Sequence, residues 1–196
     1  FRLVAATEGD SNTLRGLGTY GFIRDAAGFI VGATHDTSKN MEDFGYLMEK
    51  IILLATDLGL GTCWLGGSFT RSRFAKKIAI SRNETMPAVV SIGYIAARPR
   101  KFDQFIRREA SADRRHPWEW IFFNHEWDHP LSQEAAGDYA TPLEMVRLAP
   151  SASNLQPWRI IKMGGRWHFY LKRKLGYRDS AAAKFLKTAD LQRVDM

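Results

Sequence analysis

Apolar positions recur along this chain with two different spacings, and each predicts its own kind of element. From about Met41 to Leu58, the residues Phe44, Leu47, Met48, Ile51, Ala55 and Leu58 follow at three- and four-residue steps. That spacing predicts a long amphipathic helix, which Gly59 ends. A shorter and more basic helix is expected over Arg71 to Ile78. Compact apolar runs predict strands at Phe1 to Ala6, at Phe22-Ile23, at Phe29-Ile30-Val31 between Gly28 and Gly32, and at Ala88 to Tyr94 behind Pro87. Pro117 to Phe123 is expected to be a helix with proline in its first turn. Thr141-Pro142-Leu143-Glu144 has the form of a capping box with proline at the first helical position, so a helix is expected to start there and to close at Pro150. Trp158 to Lys162 and Trp167 to Leu171 flank Gly164-Gly165, the signal of a hairpin. The elements are mixed without regular alternation of strand and helix. The expected fold is therefore α+β, a largely antiparallel mixed sheet flanked by helices.

Composition narrows the picture. The chain has 196 residues, 45% of them hydrophobic, enough for one domain or two closely packed halves. Its longest apolar stretch, Ile51 to Ala55, falls far short of the roughly 20 residues that a membrane-spanning helix needs. The single cysteine, Cys63, excludes an internal disulfide and favours a reducing, cytoplasmic setting. The net charge of +7 comes from short basic clusters such as Arg107-Arg108, Arg114-Arg115 and Lys172-Arg173-Lys174. No nucleic-acid motif accompanies them, and the excess suits a phosphate-bearing cofactor. The first residues already read as a strand and the last carry no terminal signal, so the chain is expected to continue beyond both ends.

Two short patterns spell known motifs without their context. Gly16-Leu17-Gly18-Thr19-Tyr20-Gly21 matches a dinucleotide fingerprint, but the residues before it are polar and those after it read as strands. His125-Glu126-Trp127-Asp128-His129 matches the zinc-protease pattern, which needs a helix to bring both histidines to one face. Asn124, Asp128 and Pro130 favour a turn instead, and a third ligand would have to come from Glu134 or Glu144. A zinc hydrolase using His125, Glu126 and His129 is the lesser alternative. Cys63, Trp64 and Tyr20 read as packing residues.

Two loops carry the main reading. Leu58-Gly59-Leu60-Gly61-Thr62-Cys63-Trp64-Leu65-Gly66-Gly67 follows the long helix, and Ala149-Pro150-Ser151-Ala152-Ser153-Asn154-Leu155-Gln156-Pro157-Trp158 lies between a helix and a strand. An isoalloxazine ring wants apolar walls, backbone N–H donors at its N5 and O4 edge, and amides or hydroxyls at its pyrimidine edge. Paired glycines permit close backbone approach, and Ser151, Asn154 and Gln156 offer the polar set.

The second loop resembles the one that nitroreductases place over FMN. The first resembles their loop at the flavin N5 edge, and Ser91-Ile92-Gly93-Tyr94 resembles the strand before their phosphate-binding segment. The order of the loops is similar to that of a nitroreductase subfamily in which one chain holds two related halves and imitates the usual homodimer. The resemblance implies halves at 1–130 and 138–196, incomplete at the N- and C-terminal ends respectively, and a monomeric pseudo-dimer. It implies an FMN-dependent oxidoreductase that passes hydride from NAD(P)H to nitroaromatic, quinone or similar acceptors, or a flavin-binding pseudo-dimer with little turnover. Leu65, Gly66 and Gly67 would meet the flavin edge, with Gly66 standing where many nitroreductases have glutamate. Pro150, Ser151, Ala152, Asn154 and Gln156 would contact the ring. The family's arginine- and serine-rich phosphate motif would precede Phe1, and Arg114 and Arg115 are candidates for the remaining phosphate donors. No catalytic side chain is implied, because the flavin carries the chemistry.

Overall fold

The computed structural model describes residues 2–5, 23, 26–67, 69–98, 100–177, 179, 188 and 190–196. The glycine pattern at 16–21, with Tyr20, lies outside them, as do Phe1, Ala6 and Phe22. The chain forms two compact units, one of residues 1–100 with 176–194 and the other of 101–175 with 195–196.

The first unit is built on a four-stranded antiparallel sheet. Its strands are β1 (Arg2–Ala5), β2 (Gly28–Val31), β4 (Gly61–Leu65) and β6 (Val89–Gly93), in the order β1-β2-β6-β4. A small antiparallel pair, β3 (Thr34–His35) with β5 (Glu84–Thr85), stands apart from it. Successive strand residues face opposite ways. Accordingly Phe29, Val31, Leu65 and Val89 pack with Phe69, Phe74 and Ile78, whereas Ile30 and Val90 pack with Phe44, Met48 and Ile52. In β2 and the first part of β6 both faces are buried, which is why these two strands read as compact apolar runs.

Phe74 and Ile78 come from the helix α2 (Arg71–Lys77) and its C-terminal cap. Phe44, Met48 and Ile52 come from α1 (Asn40–Asp57). The apolar stripe expected on α1 is only partly the buried one: Leu47 and Leu58 are 47% and 67% exposed, and Ile52 takes a core place instead. Helix α1 closes with Leu60 N–H on Ala55 C=O and Gly59 N–H on Thr56 C=O, both at 2.9 Å. Gly59 sits at φ +74°, the left-handed conformation that this ending requires.

The second unit holds α3 (Lys101–Glu109), β7 (Phe122–Asn124), α4 (Gln133–Ala136), α5 (Ala140–Leu148), β8 (Trp158–Met163) and β9 (Arg166–Leu171). Strands β8 and β9 form the expected hairpin, with Met163 opposite Arg166 and Gly164 at φ +58° in the turn. Strand β7 pairs in parallel with β8. Helix was expected over Pro117 to Phe123, but only Trp118–Trp120 turns, as a 3₁₀ segment, before β7 begins. The Trp118 ring meets Phe122 at 4.4 Å and its indole N–H reaches Leu131 C=O, so tertiary packing overrides the local signal. The capping box is also corrected. Helix α5 starts at Ala140 without a side-chain cap, Ser132 caps α4 by accepting from Ala135 N–H, and Glu144 pairs with Arg147 at 2.6 Å. A last short helix, α6 (Leu191–Val194), packs in the first unit against α1.

Candidate functional site

In the first unit, Leu65 ends β4 opposite Val89 and is buried, and Gly66 and Gly67 form the bend after it. A Cβ on Gly66 would come within 2.4 Å of Leu191 Cδ1, so Leu191 would have to shift to admit one. The Gly66 carbonyl accepts from the guanidinium of Arg71 at 2.7 Å. Arg71 also donates to the Met86 and Pro87 carbonyls. Among the described residues, the N–H groups of Gly66 and Gly67 have no hydrogen-bond partner. The bend thus carries two adjacent donors without a partner among the described residues, which suits the acceptor edge of a flavin.

The second loop differs from its sequence reading in where its side chains go. Asn154 donates to the Ser111 and Arg114 carbonyls at 2.7 and 3.1 Å. Gln156 is buried; it accepts from His116 N–H at 2.7 Å, while its own N–H takes the Ser151 hydroxyl oxygen at 2.8 Å. Both amide side chains therefore face into the unit and brace the loop against residues 111–116. Ser153, Asn154 and Gln156 all adopt positive φ, between 46° and 53°. Such backbone costs about 1–3 kcal/mol per residue and persists where surrounding contacts over-determine it. The amide network is that surrounding. Pro150 and Ser153 are exposed, and Ser151 and Ala152 are half-buried.

The arginine pair divides. Arg115 donates to Leu148 C=O through Nε and Nη2, at 3.0 and 2.9 Å, and to Ala112 C=O through Nη1 at 2.7 Å. With its donors committed to carbonyls, it braces this region rather than presenting a free fork. Arg114 instead lines a cleft of about 330 Å³ with Arg107, Arg108, Ser111 and Gln104. Arg107 is ion-paired with Asp113.

Sequence reasoning missed Arg71 and Asp195. Both oxygens of Asp195 accept from Ala152 N–H at 3.1 Å, anchoring the second loop. Burial, opposed only by that hydrogen bond, pushes the Asp195 carboxyl from its usual 3.8 up to about 7. A carboxyl raised in the folded state stabilises the fold below its unfolded pKa, and this contribution is lost as pH rises through the folded value. Chemical denaturation at pH 5 and pH 8 is therefore expected to show wild type losing more stability on going to pH 8 than Asp195→Asn does. Equal losses would show that the carboxyl does not titrate in this window. Nearby, His116 lies below its ordinary value through burial and the charges of Arg159 and Lys172.

The zinc pattern does not form a helix. Strand β7 ends at Asn124, His125 stands at φ +64°, and residues 126–129 turn back so that Asn124 N–H meets His129 C=O at 2.7 Å. Exposed ligand atoms of Glu126, Asp128 and His129 cluster there, with His125 outside the group. Among the described residues, no helix is long and apolar enough to cross a membrane.

A family model described as "Putative TM nitroreductase" matches residues 3–196. Among solved structures, a putative nitroreductase from Thermotoga maritima is similar at a TM-score of 0.52 and 22% identity, over 86% of this chain. The match covers 60% of that chain, and at this identity it speaks for the fold alone. None of the curated proteins matches.

Proposed function

Because the chain belongs to the TM nitroreductase family, we propose that it is an FMN-dependent oxidoreductase taking hydride from NAD(P)H for nitroaromatic, quinone or similar acceptors. The observation that carries this is the Gly66–Gly67 bend, whose paired donors have no partner among the described residues. Bound FMN would supply the two-electron chemistry, so no protein acid or base is required. Leu65, Gly66 and Gly67 present main chain to the ring edge. In the second loop, Pro150, Ser151 and Ala152 supply the contacting surface, and Asn154 and Gln156 hold its shape. Arg114, beside Arg107 and Arg108, offers donors to a phosphate, while Arg115 positions the segment.

Each proposed half, 1–130 and 138–196, carries one of these loops, in keeping with a monomeric pseudo-dimer. The single cysteine is in keeping with a reducing, cytoplasmic setting.

The purified full-length protein is expected to release FMN on denaturation, identified by mass. FMN that is neither retained nor bound on reconstitution, above all in a protein containing stoichiometric zinc, would overturn the proposal.

A further inference from the structure

Arg71 stands at the first position of α2, a few residues beyond the Gly66–Gly67 bend, and the family resemblance gives it no role. Its guanidinium gathers three main-chain carbonyls, Gly66 at 2.7 Å, Pro87 at 2.9 Å and Met86. These belong to two segments, the bend leaving β4 and the approach to β6, whose strands pair at Leu65 and Val89. The guanidinium carbon also lies 4.7 Å from the centre of the Phe69 ring. Burial draws the pKa down to about 10, so the charge persists at neutral pH.

A trans peptide is planar, with its N–H directed opposite to its C=O. Holding the Gly66 carbonyl on Arg71 therefore turns the Gly67 N–H away from the arginine, where it meets no partner among the described residues. We propose that Arg71 is a positioning residue for the flavin edge, fixing the Gly66–Gly67 peptide so that its N–H faces the ring and holding a positive charge behind it. The inference rests on the flavin reading above. The charge favours the electron-rich reduced flavin and raises its reduction potential. Lysine would keep the charge and lose the fork; methionine would lose both.

The test compares wild type, Arg71→Lys, Arg71→Met and Arg73→Met as full-length proteins. Three quantities are measured: FMN dissociation constant, reduction potential of the bound flavin, and NMR order parameters of the Gly66 and Gly67 amides without flavin. Loss of hydrogen bonds to a charged group predicts about tenfold weaker FMN binding in Arg71→Lys, with the potential little changed. Arg71→Met should bind at least as weakly and show a lower potential. In both, the glycine order parameters should fall from about 0.85 towards 0.6 or below. Arg73, exposed on the same helix, should matter to none of these. Wild-type affinity in Arg71→Lys, or glycines as rigid in both variants as in wild type, overturns the inference, and the lysine variant decides alone if the methionine one does not fold. A wild type that binds no FMN contradicts the flavin reading and the inference with it, while the order parameters still report whether the clamp exists.

Discussion

Gly66→Val is expected to lose bound FMN while keeping most of the fold. The new Cβ would lie 2.4 Å from Leu191 Cδ1 and 3.4 Å from Cδ2, so either the bend or the leucine must move. Leucine can change rotamer, which keeps the folding cost near the ordinary overpacking range of about 1–3 kcal/mol. The bend takes up the rest as a small displacement against the hold of Arg71 on its carbonyl. If the ring edge approaches this backbone, even a small displacement costs the hydrogen bonds of both glycine donors, and FMN affinity should fall by about tenfold or more. Gly165→Ala is the control, because a Cβ there meets nothing within 4 Å. The measurement is FMN per chain beside a thermal melt. The double variant Gly66→Val/Leu191→Ala tests that cause, since it removes the leucine clash and should recover bound flavin. Full occupancy in Gly66→Val would take Gly66 out of the site.

Gly45→Ala should have the largest effect on stability. Its Cβ would fall 1.9 Å from the Val194 carbonyl oxygen and 2.9 Å from the carbonyl carbon. Those are backbone atoms, so no rotamer relieves the overlap and α6 must leave α1. Arg193 resists this, being bound to Glu42 through two hydrogen bonds of 2.9 and 2.7 Å. Overpacking against backbone belongs at the upper end of its range, about 3 kcal/mol. In a chain of this size that is a fall of about 6–12 °C in Tm. A melt unchanged within a degree would show that α6 does not pack on α1 as described.

What could be read from the sequence was what neighbours in sequence decide. The long helix, the strand ending at Gly93 and the hairpin about Gly164 depend on periodicity, on a strand buried on both faces and on a two-residue turn. Pro117 to Phe123 failed because β7 owes its conformation to β8, far along the chain. Thr141 failed as a cap because α5 runs on from a 3₁₀ turn at Gly137–Tyr139 and begins at Ala140, which leaves Thr141 inside the helix. In the candidate site, Gly66, Asn154 and Gln156 stood out by residue type, yet the two amides bond inward to residues 111–116. Arg71 and Asp195 gave no signal because their partners are backbone carbonyls and one N–H, which every residue possesses and only the fold brings near.

The central claim, that this chain uses a bound flavin to pass electrons, is met most directly by one anaerobic experiment. The purified protein, reconstituted with FMN, is mixed with NADPH or NADH while the flavin band at about 450 nm is followed. The account predicts that the band bleaches and returns when a quinone is added. A protein that binds FMN but keeps its band with either nucleotide would contradict it.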